Sequence, residues 1–305
     1  MSITLRTIAL SGVLALLPAA ATAQSLVGRN DSIYVWHGQL AAGRQLTVRN
    51  FNGPIEVRAA TGATAEVRAE KRVRGGQVSD IAFDVEVTPD GDVRICSVLR
   101  SNDGCDDRHR WSHDDDDDGW RRSATVSMVI LVPRGARLKV ATGNGTIMVD
   151  HAGADVEAST GNGRVSVSGT EGIVRVSSGN GDVDVRDAKG PVRVSTGNGR
   201  VRVATTEGPV EARSGNGDID VQMSSVRARE DMSFSTGSGA VRLTLPAGYN
   251  GELDASTGNG EVTSDFDLKV QGRMNPRRIR ATIGSGGALL RMSTGNGRLE
   301  LRKAD

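Results

Sequence analysis

The sequence predicts an all-β, single-chain β-solenoid with 18-residue, two-strand coils and an irregular N-terminal β cap. Three observations carry this. A Gly-Asn-Gly turn recurs at a fixed step of 18 residues. Valine alternates with polar residues on both sides of that turn. Glycine reaches 39 of 305 residues while aromatics stay at 3%. A fixed period of this length marks stacked supersecondary units, none of which can bury its apolar face alone.

The chain opens on a targeting segment, residues 1–23. Arg6 supplies a short positive region, Ile8 to Leu17 form an apolar stretch, and Ala21-Thr22-Ala23 fits the small-residue cleavage rule. The apolar stretch is too short to span a bilayer, and no later segment approaches 18 apolar residues. The expectation is an exported protein, in the periplasm, at the cell surface or secreted, and not an integral membrane protein. Cys96 and Cys105, the two cysteines, are then expected to form a disulfide in an oxidising compartment.

Residues 24–132 read as irregular β coils and an N-terminal cap. Asn50-Phe51-Asn52-Gly53 is a degenerate copy of the turn, and strand patterns continue from Ala65, Ile81, Val93 and Thr125. Residues 101–123 interrupt them with a hydrophilic, Asp-rich insert that lacks periodicity.

Residues 133–305 read as the regular solenoid. Asn144, Asn162, Asn180, Asn198 and Asn216 each sit in a Gly-Asn-Gly turn, 18 residues apart; later copies follow at Gly237-Ser238-Gly239, Gly258-Asn259-Gly260 and Gly295-Asn296-Gly297. One repeat puts Val165, Val167, Val174 and Val176 inward, where stiff branched side chains suit a pleated surface. Stacked asparagine amides are expected to hydrogen-bond along the axis. The solvent pair after each turn reads Arg164/Ser166, Asp182/Asp184, Arg200/Arg202, Asp218/Asp220, so acid and base alternate between coils and would hold register. Eight or nine coils in chain order give a rod about 40 Å long at the spacing of adjacent strands. The C-terminal strand, Leu299 to Lys303, has little capping sequence, which suggests a covered or paired end, with self-association through the solenoid ends as one way to cover it.

On these residues the chain resembles the bacterial "putative adhesin" family of exported β-strand-repeat proteins. The resemblance rests on the Ser-Thr-Gly-Asn-Gly-Arg-Val-type repeats and on the closing segment from Ile283 through Gly286 to Gly297, and it covers residues 45–302. It implies a single-chain β-solenoid in the cell envelope and brings no catalytic residues. The Asp-rich insert falls outside it.

The search for chemistry assigns no catalytic, cofactor-binding or metal-binding residue. Asp114, Asp116, Asp118 and Gly119 match the first half of an EF-hand loop, but Thr125 stands where the bidentate glutamate belongs. His109 and His113 would suit a metal only on a helix, which this stretch does not favour. Alternate coils replace the aspartates of a calcium β-roll with arginine. No Gly-x-Ser-x-Gly or dinucleotide fingerprint occurs. A formal charge of +1 and few aromatics argue against nucleic acid. The reading is a non-catalytic envelope protein, an adhesin-like interaction or scaffold module for an unknown envelope protein or polymer. The alternatives are a β-solenoid polysaccharide hydrolase or lyase using Asp182, Asp184, Asp218 and Asp220, and a calcium-dependent binding module.

Overall fold

The fold is a β-solenoid, seen in a computed structural model that describes residues 25–74, 76–99, 124–151, 154–226, 230–272 and 275–304. The targeting segment, the Asp-rich insert with His109 and His113, and Cys105 lie outside the described residues. Cys96 is disulfide-bonded. Among the described residues no helix is long and apolar enough to cross a membrane.

Eight strands build the N-terminal part: β1 (Ser25–Val27), β2 (Ile33–Gln39), β3 (Gln45–Asn50), β4 (Ile55–Ala59), β5 (Thr64–Val73), β6 (Ile81–Val87), β7 (Val93–Leu99) and β8 (Ala124–Val132). Six regular coils follow, each a strand, a Gly-Asn-Gly-type turn and a second strand. They are β9/β10 (Arg137–Asn144, Ile147–Asp150), β11/β12 (Val156–Asn162, Val165–Ser168), β13/β14 (Val174–Asn180, Val183–Ala188), β15/β16 (Val192–Asn198, Val201–Thr205), β17/β18 (Val210–Asn216, Ile219–Met223) and β19/β20 (Met232–Ser238, Val241–Leu245). The C-terminal part adds β21 (Gly251–Asn259), β22 (Val262–Ser264), β23 (Leu268–Val270), β24 (Arg278–Ile283), β25 (Leu289–Asn296) and β26 (Leu299–Lys303).

The first strands of the coils form a 14-stranded sheet and the second strands a 12-stranded one, and the valine core lies between them. Register is residue for residue: Val165 faces Val183, which faces Val201, and all three are buried. Four strands of the larger sheet and two of the smaller are antiparallel cap strands. Ten parallel strands remain in each sheet among the described residues, so the stack is about 43 Å tall at the usual strand spacing.

The coils do not stack in chain order, which corrects the sequence reading at both ends. The last coil, β25/β26, inserts between β19/β20 and β21/β22. The 37-residue step between Gly258 and Gly295 therefore holds no additional coil. Leu268–Val270 and Arg278–Ile283 pair antiparallel as a cap on β21, and Gly284-Ser285-Gly286 turns the chain back. The C-terminal strand is the covered, paired strand that the sequence suggested, but its neighbours β20 and β22 belong to the same chain. The N-terminal end has a similar arrangement. Coil β3/β4 packs against β9/β10, while β7/β8 lies outside it under the antiparallel β6, β1, β5 and β2.

Each residue of the turn motif has a separate physical task. The asparagines form the expected ladder: Asn162 Nδ2 donates to Asn144 Oδ1, Asn180 to Asn162 and Asn198 to Asn180, each at 2.8 Å, and Asn216 to Asn198 at 2.9 Å. The hydroxyl residue two positions earlier points inward. Thr160, Ser178, Thr196 and Ser214 donate to the carbonyls of Gly145, Gly163, Gly181 and Gly199 at 2.9–3.1 Å. The closing glycine is required by contact: Gly181 has φ +154°, and a Cβ there would overlap the Gly163 carbonyl.

Candidate functional site

The smaller sheet carries the charges singled out in the sequence. Arg164 reaches Asp182 at 3.3 Å, and Arg186 reaches Asp184 at 2.7 Å. Asp182 also accepts the backbone N–H of Arg200, and Asp218 that of Ala240, each at 2.9 Å. The guanidinium of Arg200 is not the partner of Asp182 or Asp218. Their cationic neighbours are Arg164 and, 4.0 Å from Asp218, Arg242. Asp220 lies in register between Arg202 and Arg242. The alternation follows space, not sequence. Along one row it runs Asp184, Arg202, Asp220, Arg242, Glu300, and Glu300 is next to Arg242 only because β26 inserts there; their side chains meet at 3.4 Å. Asp182 with Asp184, and Asp218 with Asp220, lie two residues apart along one strand, but arginines pair with them or stand in register beside them, so they are not the free paired acids that glycoside hydrolysis uses.

His151 sits in a left-handed turn (φ +48°) and its Nδ1 lies 2.8 Å from Asp150 Oδ1, which also accepts Ser168 Oγ at 2.8 Å. The Ser168 bond, then the His151 bond, holds the Asp150 carboxyl below its ordinary range. Serine, aspartate and histidine are all present. The carboxylate takes both donors, however, so the histidine is not set to deprotonate the serine. Among the described residues no three His, Cys, Asp or Glu side chains gather to hold a metal ion.

The larger sheet presents a different surface. Its outer face carries a charged row and, two residues further along each strand, a row rich in serine. The charged row runs Lys139, Glu157, Arg175, Arg193, Glu211. The second runs Ser159, Ser177, Ser195, Arg213, Ser235, Ser293, Ser256. A shallow groove of about 310 Å³ opens between them, lined by Glu157, Arg175, Ser177, Arg193, Ser195 and Glu211 among others. Lys139 pairs with Glu157 at 3.1 Å, and Glu211 is shared between Arg213 at 2.6 Å and Arg193 at 3.5 Å. The sequence reading weighed only the strand after each turn and missed this site. The available signal was that Arg175 and Arg193 occupy the same position of consecutive repeats.

These features define a parallel β-solenoid with two flat, ladder-locked faces and a shallow polar groove on one of them. The chain belongs to the Toastrack DUF4097 family, whose model matches residues 115–302. Among curated proteins no relative matches. The chain is similar to the solved structure of a candidate cell adhesion protein from Clostridium sporogenes, at 10% identity and a TM-score of 0.28, covering 89% of this chain and all of the other. It is also similar to that of a candidate adhesin from Bacteroides fragilis, at 9% identity and a TM-score of 0.36, covering 88% of this chain and 96% of the other. At those scores neither likeness carries an argument about function.

Proposed function

We propose that this protein is a non-catalytic, exported interaction module of the cell envelope, a rigid rod that presents its flat faces to a polymer or a partner protein. One observation supports this most. The outward acids of the smaller sheet are spent on arginine pairs, Arg164 to Asp182 across coils and Arg186 to Asp184 along one strand, and on cross-coil backbone N–H groups, rather than gathered around a reacting atom. The hydrolase or lyase reading loses its carboxylate cluster on the same ground. The calcium reading rests on Asp114, Asp116 and Asp118, outside the described residues, and calorimetry with and without chelator tests it. Cell fractionation and pull-down from envelope extract test the leading reading. Recovery in an envelope or extracellular fraction with a captured polymer or protein supports it. Polysaccharide cleavage that Asp184→Asn abolishes would contradict it.

Self-association through a solenoid end is part of the same proposal, now at the N-terminal end. The other three sheet edges, β1, β22 and β23, are three residues long, whereas β2 has seven. Pairing to β5 leaves the backbone groups of Ile33, Val35 and His37 facing outward, and Ile33 and Val35 are exposed. An antiparallel twofold about Val35 would bring a second copy's strand alongside without opposing like charges. Analytical ultracentrifugation reads this: a dimer that Val35→Lys returns to monomer is expected, and a strict monomer at high concentration contradicts it.

A further inference from the structure

Arg175 and Arg193 face each other directly on adjacent strands β13 and β15. Among the described residues this is the only directly paired couple of like-charged side chains. At the other charged-to-charged positions, acid faces base, as in Lys139 with Glu157, Glu157 with Arg175, Arg193 with Glu211, Asp184 with Arg202, Arg202 with Asp220 and Arg242 with Glu300. Like charges directly opposite one another destabilise a sheet. A chain that elsewhere alternates its charges, even across the out-of-order coil, breaks the rule at one place, and that place is the groove.

Arg175 also has no ion-pair partner among the described residues. Its neighbour Glu157 is engaged by Lys139 at 3.1 Å, and Arg193 shares Glu211 with Arg213. Two arginines at paired positions of adjacent strands, lining one groove with the exposed residues Ser177 and Ser195, suit an oxyanion. We propose that the groove binds a carboxylate of an acidic polysaccharide, whose chain lies along the rod axis over the serine row. Two features select this ligand. Glu157 and Glu211 flank the arginine pair and are themselves ion-paired, so the groove offers one cationic point, which suits a carboxylate carried once per sugar better than the more closely spaced charges of polyphosphate. Hydroxyls on strand after strand offer hydrogen bonds to a polyhydroxylated chain, while the 3% aromatic content leaves few platforms for stacking bases.

This inference rests on the interaction-module reading, and its test separates the two. Binding of oligogalacturonate, neutral dextran oligosaccharide and short polyphosphate to the full exported chain is measured at low salt by fluorescence anisotropy. The wild type should bind oligogalacturonate in preference to the other two. Arg175→Ser and Arg193→Ser should each weaken that binding at least tenfold, while Arg200→Ser on the opposite sheet leaves it unchanged. Because Arg175 is repelled by its neighbour, Arg175→Ser should hold or raise the melting temperature, which a structural arginine would not do. No oligogalacturonate binding, binding indifferent to Arg175, or tighter binding of polyphosphate would overturn the inference. A partner captured from envelope extract equally well by Arg175→Ser would preserve the broader reading while removing this one.

Discussion

At the scale of single residues, the turn motif divides its work between three chemistries. Thr196 donates to the Gly181 carbonyl at 2.9 Å from a nearly buried position. Thr196→Val keeps the shape but leaves that carbonyl unsatisfied, and should cost about 1–2 kcal/mol in chemical denaturation. Gly181→Ala places a methyl group against the Gly163 carbonyl at φ +154° and should cost more, about 2–4 kcal/mol. Tyr249 behaves oppositely. Its hydroxyl is buried without a hydrogen-bond partner, and burial, reinforced by Asp231, pushes its pKa from the ordinary 10.0 to about 12. A raised folded-state pKa gives stability that is complete below pH 10 and lost as pH climbs through 10 toward 12. Tyr249→Phe should therefore be neutral or slightly stabilising at pH 7 and should flatten the loss of melting temperature above pH 10. In the N-terminal part, the Lys71 ammonium donates to the carbonyls of Gly28, Arg29 (3.1 Å) and Ile81 (2.7 Å), and desolvation lowers its pKa. Lys71→Met strands those carbonyls and should cost about 2–3 kcal/mol in the same assay.

At the scale of elements, the decisive feature is the insertion of β25/β26 between coils that precede it in sequence. A C-terminal strand at the edge of a stack could be trimmed at small cost, but β26 pairs with β20 on one side and β22 on the other. Deleting residues 299–305 should thus unfold the C-terminal coils as a unit, and hydrogen exchange should lose protection in β20–β22 as well as at the new terminus. Strand identity, inward valines and the asparagine ladder were legible in the sequence because a period of two inside a period of 18 fixes which residues face each other. Stacking order was not, because β25 carries the same Thr-Gly-Asn-Gly signature as its neighbours and fits any coil. Charge held a partial clue. Arg242 finds its acid in Glu300, 58 residues later in the chain, where the coil next in sequence offers Thr263 at the equivalent position. The groove was equally hidden, since it depends on comparing Arg175 with Arg193 across coils rather than on any local motif.

At the scale of the whole molecule, the rod is a register machine whose paired strand positions, among the described residues, obey one electrostatic rule with one exception. The rule predicts that an arginine between acids supports the fold. Arg242, near Glu300 and Asp218, is such a residue, and partly exposed pairs of this kind contribute about 0.5–1 kcal/mol. The exception predicts that Arg175 does not support it. Thermal unfolding of Arg242→Ser and Arg175→Ser alongside the wild type tests that contrast in one measurement. Arg242→Ser should lower the melting temperature by about 2 °C, and Arg175→Ser should leave it unchanged or raise it. Equal losses in both variants would mean that the arginines of both faces serve only the stack, and would contradict the account.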